Sequence, residues 1–309
     1  MRKDLLDLRS LSKQDIELIL DTADACKEIL SRPVRKVPTL RGKVLVNLFY
    51  EASTRTRMSF EMAGKCLSAD VMSVSVATSS VTKGESIKDT VRTVEALGAD
   101  FVVIRHSSPG VPHLIARTVR AGVINAGDGT HEHPTQGLLD AFTIRERLGS
   151  LAGRRVLIVG DILHSRVARS DIWALTKLGA RVAVCGPATL LPPGLERFGV
   201  KVYTDLDEAL PQAEVIQVLR VQLERQKGGL LPSLREYSRR YGINKQRLDA
   251  LGQDVVLMHP GPANLGVEIT EVAAEDRRSV IRDQVRNGVA VRMAVLYLLS
   301  GGDKSELAD

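Results

Sequence analysis

Residues 43–57 read KVLVNLFYEASTRTR: an apolar β-branched run, a polar turn, then a segment in which Met58, Met62 and Cys66 recur at helical spacing. A strand that enters a helix through a short turn is the unit from which parallel sheets are built. At such a junction the first helical N–H groups lack intrahelical acceptors and the helix dipole favours an anion. Ser53, Thr54 and Thr56 add hydroxyls there, and Arg55 and Arg57 add positive charge. The turn is therefore a candidate phosphate site; the plainer reading is an ordinary helix cap with two solvated arginines.

The same unit repeats on both sides. Short β-branched runs stand at Lys43–Phe49, Val71–Val76, Phe101–Arg105 and Val123–Ala126, with starts roughly 22 to 30 residues apart and helical spacing between them, as at Ile87, Val91, Val94 and Leu97. That interval suits a helical crossover between parallel strands. After Leu151 the rhythm restarts with runs at Val156–Asp161, Val182–Cys185, Val200–Tyr203, Glu214–Leu219 and Asp254–His259. The expected fold is α/β with two domains, each a parallel sheet flanked by helices. A first helix should begin at Ser12, with Asp15 at capping-box spacing. Pro134–Leu148 and Val280–Leu299 read as long helices joining the domains, Pro187–Gly194 as a surface loop, and the end of the chain, Gly301–Asp309, as frayed.

With 309 residues, 44% hydrophobic and 26% charged, the chain has enough material for two cores and no run of about 18 apolar residues that would span a membrane. Charge interrupts the apolar residues of MRKDLLDLRSLSKQD, so a signal peptide is not expected and the cytoplasm is. Cys26, Cys66 and Cys185 lie far apart without a CxxC pair, which suits buried reduced thiols better than disulfides or a zinc cluster. The net charge of +6 is compatible with anionic substrates; scattered basic residues and 4% aromatics argue against nucleic acid.

Polar residues also stand at the C-terminal ends of other runs, where open parallel sheets bind ligands. Arg105 and His106 follow FVVI, and His131 to Gln136 (HEHPTQ) follow VINAGDG. An imidazole and an amide beside arginines can polarise a carbonyl while holding a phosphate. Asp128 and Glu132 lie near His131 and His133, yet no HExxH or third-ligand spacing supports a metal. Ser79–Glu85 (SSVTKGE) reads by itself as a polar loop. GDILHSR precedes a helix, but neither GxGxxG nor a P-loop is present. Arg166 and Arg220 could grip a dicarboxylate bidentately, or be solvated surface arginines.

Taken in chain order, STRTR (Ser53 to Arg57), Ser79 and Lys83, Arg105, HPTQ (His133 to Gln136), Arg166, RVQ (Arg220 to Gln222) and HPGP (His259 to Pro262) resemble the transcarbamoylase family over nearly the whole chain. The resemblance is to its aspartate branch, since ornithine members carry HCLP and an SMG-type motif in the later half. Leu265 departs from the arginine common in bacterial members. The resemblance implies a carbamoyl-phosphate domain at 1–145, onto which a helix at about 285–301 packs back, and an aspartate domain at 146–284.

It further implies carbamoyl transfer from carbamoyl phosphate to the amine of L-aspartate, an early committed step of pyrimidine biosynthesis, with no cofactor and no metal. Ser53, Thr54, Arg55, Thr56 and Ser79 would bind the carbamoyl phosphate, with Arg105, His133 and Gln136 on its carbonyl and amide and Pro260 and Gly261 lending main-chain carbonyls. Thr56, Arg105 and His133 would be catalytic. Lys83, Arg105, Arg166, Arg220 and Gln222 would bind aspartate. Ser79 and Lys83 reach a neighbouring subunit in that family, which implies a homotrimer with shared sites and domain closure over the substrates; regulatory or dihydroorotase chains are further partners in the family. The rival expectations are an ornithine or other amine acceptor and a non-catalytic assembly subunit.

Overall fold

The computed structural model describes residues 3–75, 86–222 and 230–303. The chain divides into two compact units, one of residues 1–139 with 286–309 and one of 140–285. Ser79 and Lys83 lie outside the described residues.

The first unit opens with α1 (Lys13–Ser31), whose N-cap Ser12 and Asp15 form the expected capping box. Then come β1 (Val44–Phe49), α2 (Thr54–Cys66), β2 (Asp70–Ser75), α3 (Ile87–Ala96), β3 (Phe101–His106), α4 (Val111–Ala116), β4 (Gly122–Asp128) and the start of α5 (Pro134–Leu148). The strands form a parallel sheet in the order β2-β1-β3-β4. All of β4 and nearly all of β1 are buried, as expected for a parallel sheet covered on both faces. Val46, Leu48, Val91, Val102, Ile104, Ile115 and Val123 share one core. Each such side chain contributes roughly 1.5–3 kcal/mol relative to staying exposed. At Gly64 of α2 an added Cβ would stand 2.7 Å from Val71 Cγ2 and 2.9 Å from Leu45 Cδ2, so only glycine allows this close approach to the sheet. Within this unit Arg292 donates to Ser59 Oγ at 2.9 Å and lies over the Phe60 ring, fastening the chain's last helix to α2.

The second unit contains β5 (Arg155–Val159), α6 (Arg166–Lys177), β6 (Arg181–Cys185), β7 (Lys201–Tyr203), α7 (Leu206–Ala209), β8 (Val215–Val218), α8 (Leu234–Tyr241), α9 (Lys245–Ala250), β9 (Val256–Met258), α10 (Glu271–Ala274) and the start of α11 (Ile281–Leu299). Its sheet is parallel in the order β7-β6-β5-β8-β9. Leu157, Val159, Cys185, Ile216, Val218, Tyr237 and Leu257 lie in its core. The stretch read as a surface loop at Pro187–Gly194 instead contains a 3-10 turn, Ala188–Leu190, with Leu190 fully buried. Leu163 N–H donates to the Leu190 carbonyl at 2.9 Å, so the segment is tied to the turn after β5.

Both sheets reverse their winding once. In the first unit the chain leaves β1 towards β2 on one side and places β3 on the other; in the second the reversal falls between β5 and β8. The C-terminal ends of strands flanking such a reversal open a crevice, because the connections leave towards opposite faces.

Candidate functional site

The first unit puts its polar set at that reversal. Ser53 is the N-cap of α2, with extended backbone (φ −161°, ψ 94°) and no side-chain capping bond. Thr54 and Arg55 are exposed, while Thr56 is 8% exposed. At the end of β3, Arg105 donates through Nη2 to Glu51 Oε1 at 3.0 Å and through Nη1 to the Ala126 carbonyl at 3.1 Å. Its guanidinium plane is thereby fixed. His133 immediately precedes α5, and its carbonyl accepts from Gln136 N–H at 2.8 Å. Both His133 and Gln136 are buried. Thr56 Oγ1 stands 3.5 Å from His133 Nε2. A hydroxyl and an imidazole that are distant in sequence thus meet where both can donate to one oxygen.

The carboxylates near the two histidines serve the loop between β4 and α5. Asp128 Oδ1 accepts from Asn125 Nδ2 at 2.9 Å and from Glu132 N–H at 3.2 Å, and Oδ2 accepts from Gly110 N–H at 2.7 Å. Glu132 accepts from the Leu8 and Arg9 N–H groups. Burial alone would raise the Asp128 carboxyl, but the bonds from His131, Gly110 and Asn125 outweigh it and hold it below the usual carboxylate range. His131 is raised, first by its bond to Asp128. Among the described residues no group of three or more His, Cys, Asp or Glu could hold a metal.

The second unit also uses its reversal. Arg166, 4% exposed, is the first residue of α6 directly beyond β5, and the N-cap Ser165 accepts from Ala168 N–H at 3.1 Å. Arg220 and Gln222 follow β8, and Pro260 and Gly261 follow β9; all four are half-buried. Beneath these turns lies a buried polar network. Gln217 Nε2 donates to Asp140 Oδ2 at 2.8 Å and to Asp171 Oδ2 at 3.3 Å. Gln284 Nε2 donates to Asp140 Oδ1 at 2.7 Å, and its Oε1 accepts from His259 N–H at 3.0 Å. Burial, reinforced by the neighbouring Asp140 charge, raises Asp171 well above the usual carboxylate range. Sequence reading gave these polar residues no role, and it missed Glu51. The available signals were a glutamine inside the apolar run EVIQVL and an acidic residue beside STRTR.

Residues 3–146 match the family model described as aspartate/ornithine carbamoyltransferase, carbamoyl-P binding domain, and residues 152–299 match its Asp/Orn binding domain. The chain belongs to the aspartate/ornithine carbamoyltransferase family. It is 60% identical over 303 residues to the aspartate carbamoyltransferase catalytic subunit of Heliobacterium modesticaldum, covering 98% of this chain and 97% of that one. It is 60% identical over 301 residues to that of Moorella thermoacetica, covering 97% and 98%. Among solved structures, the aspartate transcarbamoylase of Trypanosoma cruzi in complex with carbamoyl phosphate and aspartate aligns with a TM-score of 0.87 at 29% identity, covering 95% of each chain. The same enzyme in complex with N-(phosphonacetyl)-L-aspartic acid also gives 0.87.

Proposed function

We propose that this chain is an aspartate carbamoyltransferase, moving the carbamoyl group of carbamoyl phosphate to the amine of L-aspartate. The observation that carries the reading is the meeting of Thr56 and His133, 3.5 Å apart, in a unit that also holds STRTR at a helix N-terminus and a fixed Arg105. Relatives 56–60% identical bear that activity's name.

Ser53, Thr54, Arg55 and the open N-terminus of α2 take the phosphate, with Ser79 as a further ligand. Thr56, Arg105 and His133 take the carbamoyl oxygen; Gln136 and the carbonyls of Pro260 and Gly261 take the amide. Arg105, Arg166, Arg220, Gln222 and Lys83 take the aspartate carboxylates. The neutral amine attacks the carbamoyl carbon, a C–N bond forms, and the bond to phosphate breaks as the tetrahedral oxyanion collapses. The amine proton leaves on the phosphate, so this route needs no carboxylate general base. Preorganised donors at the oxyanion supply the acceleration.

The enzyme acts as a homotrimer in which Ser79 and Lys83 complete a neighbour's site. Support comes from α2 and the edge strand β2, where Met58, Met62 and Met72 are 58%, 52% and 44% exposed, apolar surface that suits a partner. The cytoplasm suits its three buried, free cysteines. No helix among the described residues is long and apolar enough to cross a membrane.

The test is mass-spectrometric product analysis with carbamoyl phosphate and equal aspartate and ornithine, beside a Lys83→Ala control. Carbamoyl-aspartate from the wild type, lost in the control, is expected; carbamoyl-ornithine would move the chain to the other branch. Sedimentation showing an active monomer would overturn the shared site.

A further inference from the structure

In HPGP the proposed function uses the main-chain carbonyls of Pro260 and Gly261. The histidine that precedes them lies in the core. His259 is 1% exposed, and its Nδ1 accepts from Gly261 N–H at 2.8 Å. A backbone N–H can only donate, so Nδ1 carries no proton and the ring is neutral with its hydrogen on Nε2. Nε2 stands 3.2 Å from Glu268 Oε1, and both side chains are fully buried. The same Oε1 accepts from Asn264 N–H at 2.5 Å. Asn264 in turn donates through Nδ2 to the Val221 carbonyl at 3.4 Å. Val221 lies between Arg220 and Gln222. The chain from 264 to 269 folds back, with Gly266 N–H on the Ile269 carbonyl at 2.9 Å and Val267 N–H on the Asn264 carbonyl at 3.0 Å, which delivers Glu268 beneath both turns.

We propose that Glu268, acting through neutral His259 and through Asn264, is the positioning residue that sets the Pro260–Gly261 turn and the Arg220–Gln222 turn as one piece. The assignment rests on the functional reading above, in which the first turn meets the carbamoyl amide and the second an aspartate carboxylate. One oxygen accepts both bonds, which couples the turns without either touching the other's ligand. Catalytic geometry tolerates little slack, and a displacement of about 1 Å costs on the order of 10²-fold in rate.

The geometry separates this role from simple core filling. Glu268 Oε2 has no hydrogen-bond partner among the described residues. In Glu268→Gln the amide oxygen can therefore keep both bonds while the amide nitrogen takes the unused place. Glu268→Asp keeps the carboxyl group and loses the reach.

The experiment is steady-state kinetics in both substrates for wild type, Glu268→Gln, Glu268→Asp, Glu268→Ala and Asn264→Ala, with ¹⁵N NMR of histidine-labelled protein and His259→Gln to assign the signal. Glu268→Ala should lower kcat/KM for aspartate about 10²-fold, reducing kcat and raising both KM values. Glu268→Asp should lose about tenfold and Glu268→Gln no more than about fivefold, orders set by the same geometric tolerance. Asn264→Ala should raise KM for aspartate and leave that for carbamoyl phosphate. His259 should show an unprotonated Nδ1 and a protonated Nε2.

Wild-type constants in a folded Glu268→Ala or in Glu268→Asp, or a Glu268→Gln as damaged as Glu268→Asp, overturn the proposal. So does a protonated Nδ1, which can be read without turnover. A wild type that makes no carbamoyl-aspartate but shows the expected tautomer instead overturns the reading of the site and leaves the lock standing.

Discussion

Two helices of this molecule start from the same grammar and finish it differently. The α2 helix follows β1 through Ser53, and α6 follows β5 through Ser165; both serines are N-caps at the winding reversal of their sheet. Ser165 spends its hydroxyl on Ala168 N–H, closing the helix end. Ser53 makes no such bond. The first unit leaves its helix end without a side-chain cap, which the proposed function gives to a phosphate, whereas the second closes its helix, whose first residue is Arg166, proposed above for an aspartate carboxylate. A dipole with spare N–H groups suits a phosphate, and a rigid planar fork suits a carboxylate.

The largest test of this contrast is Arg105→Ala. It removes the guanidinium that the proposed mechanism sets on the carbamoyl phosphate, and with it the donor to Glu51 Oε1, so kcat/KM should fall by about 10³-fold, with KM and kcat both affected. A fall under tenfold would mean that the helix end alone holds the phosphate. His133→Ala should lower kcat by about 10²-fold and carbamoyl-phosphate affinity much less, since in the proposed mechanism the imidazole acts on developing charge. Isothermal titration beside turnover separates the two, and an unchanged kcat would take His133 out of the oxyanion role.

The serines give a smaller, reciprocal pair. Ser53→Ala should raise KM for carbamoyl phosphate about tenfold, the loss of one bond to a charged group, and should barely move urea stability. Ser165→Ala should cost about 1 kcal/mol of stability with KM for carbamoyl phosphate held. Reversal of that pattern would break the comparison.

The smallest effect concerns two buried aspartates of opposite character. Asp128 is held below the ordinary value of 3.8, so its stabilisation is present above that pH and lost as pH falls through its lower folded value. Asp171 is held above it, so its neutral form is favoured by folding and stability is lost as pH rises from 3.8 towards the raised value. In denaturation followed across pH, Asp128→Asn should destabilise at neutral pH. Asp171→Asn should be neutral or stabilising there, and the two curves should meet the wild type's only at low pH.

Much of the architecture was legible because period and interval are local. The apolar runs lie within a residue or two of the strands, and Pro134–Leu148 is helical throughout. The capping box at Ser12 needed an acid three positions on, at Asp15, and nothing else. Short helices such as α4 and α9, each six residues long, carry too few turns for a periodic signal. Motifs named Thr56 and His133, yet their distance comes from sheet order, which spacing does not contain. Least legible were the buried acceptors. Glu268 looks like any loop acid in ANLGVEIT, and only the fold-back of 264–269 puts it against His259. The same holds for Asp140 and Gln284, which are 144 positions apart and share a hydrogen bond.

The bond from Arg292 to Ser59 spans 233 positions inside the first unit. All of 140–285 stands between the two contributions to that unit. On a ribosome the second unit is therefore fully synthesised while the first still waits for its last helix. The earlier portion must stay unaggregated with the surface beside Phe60 uncovered, since domains form as units only once their chain is present. The first part of the polypeptide to be made is thus the last to be finished.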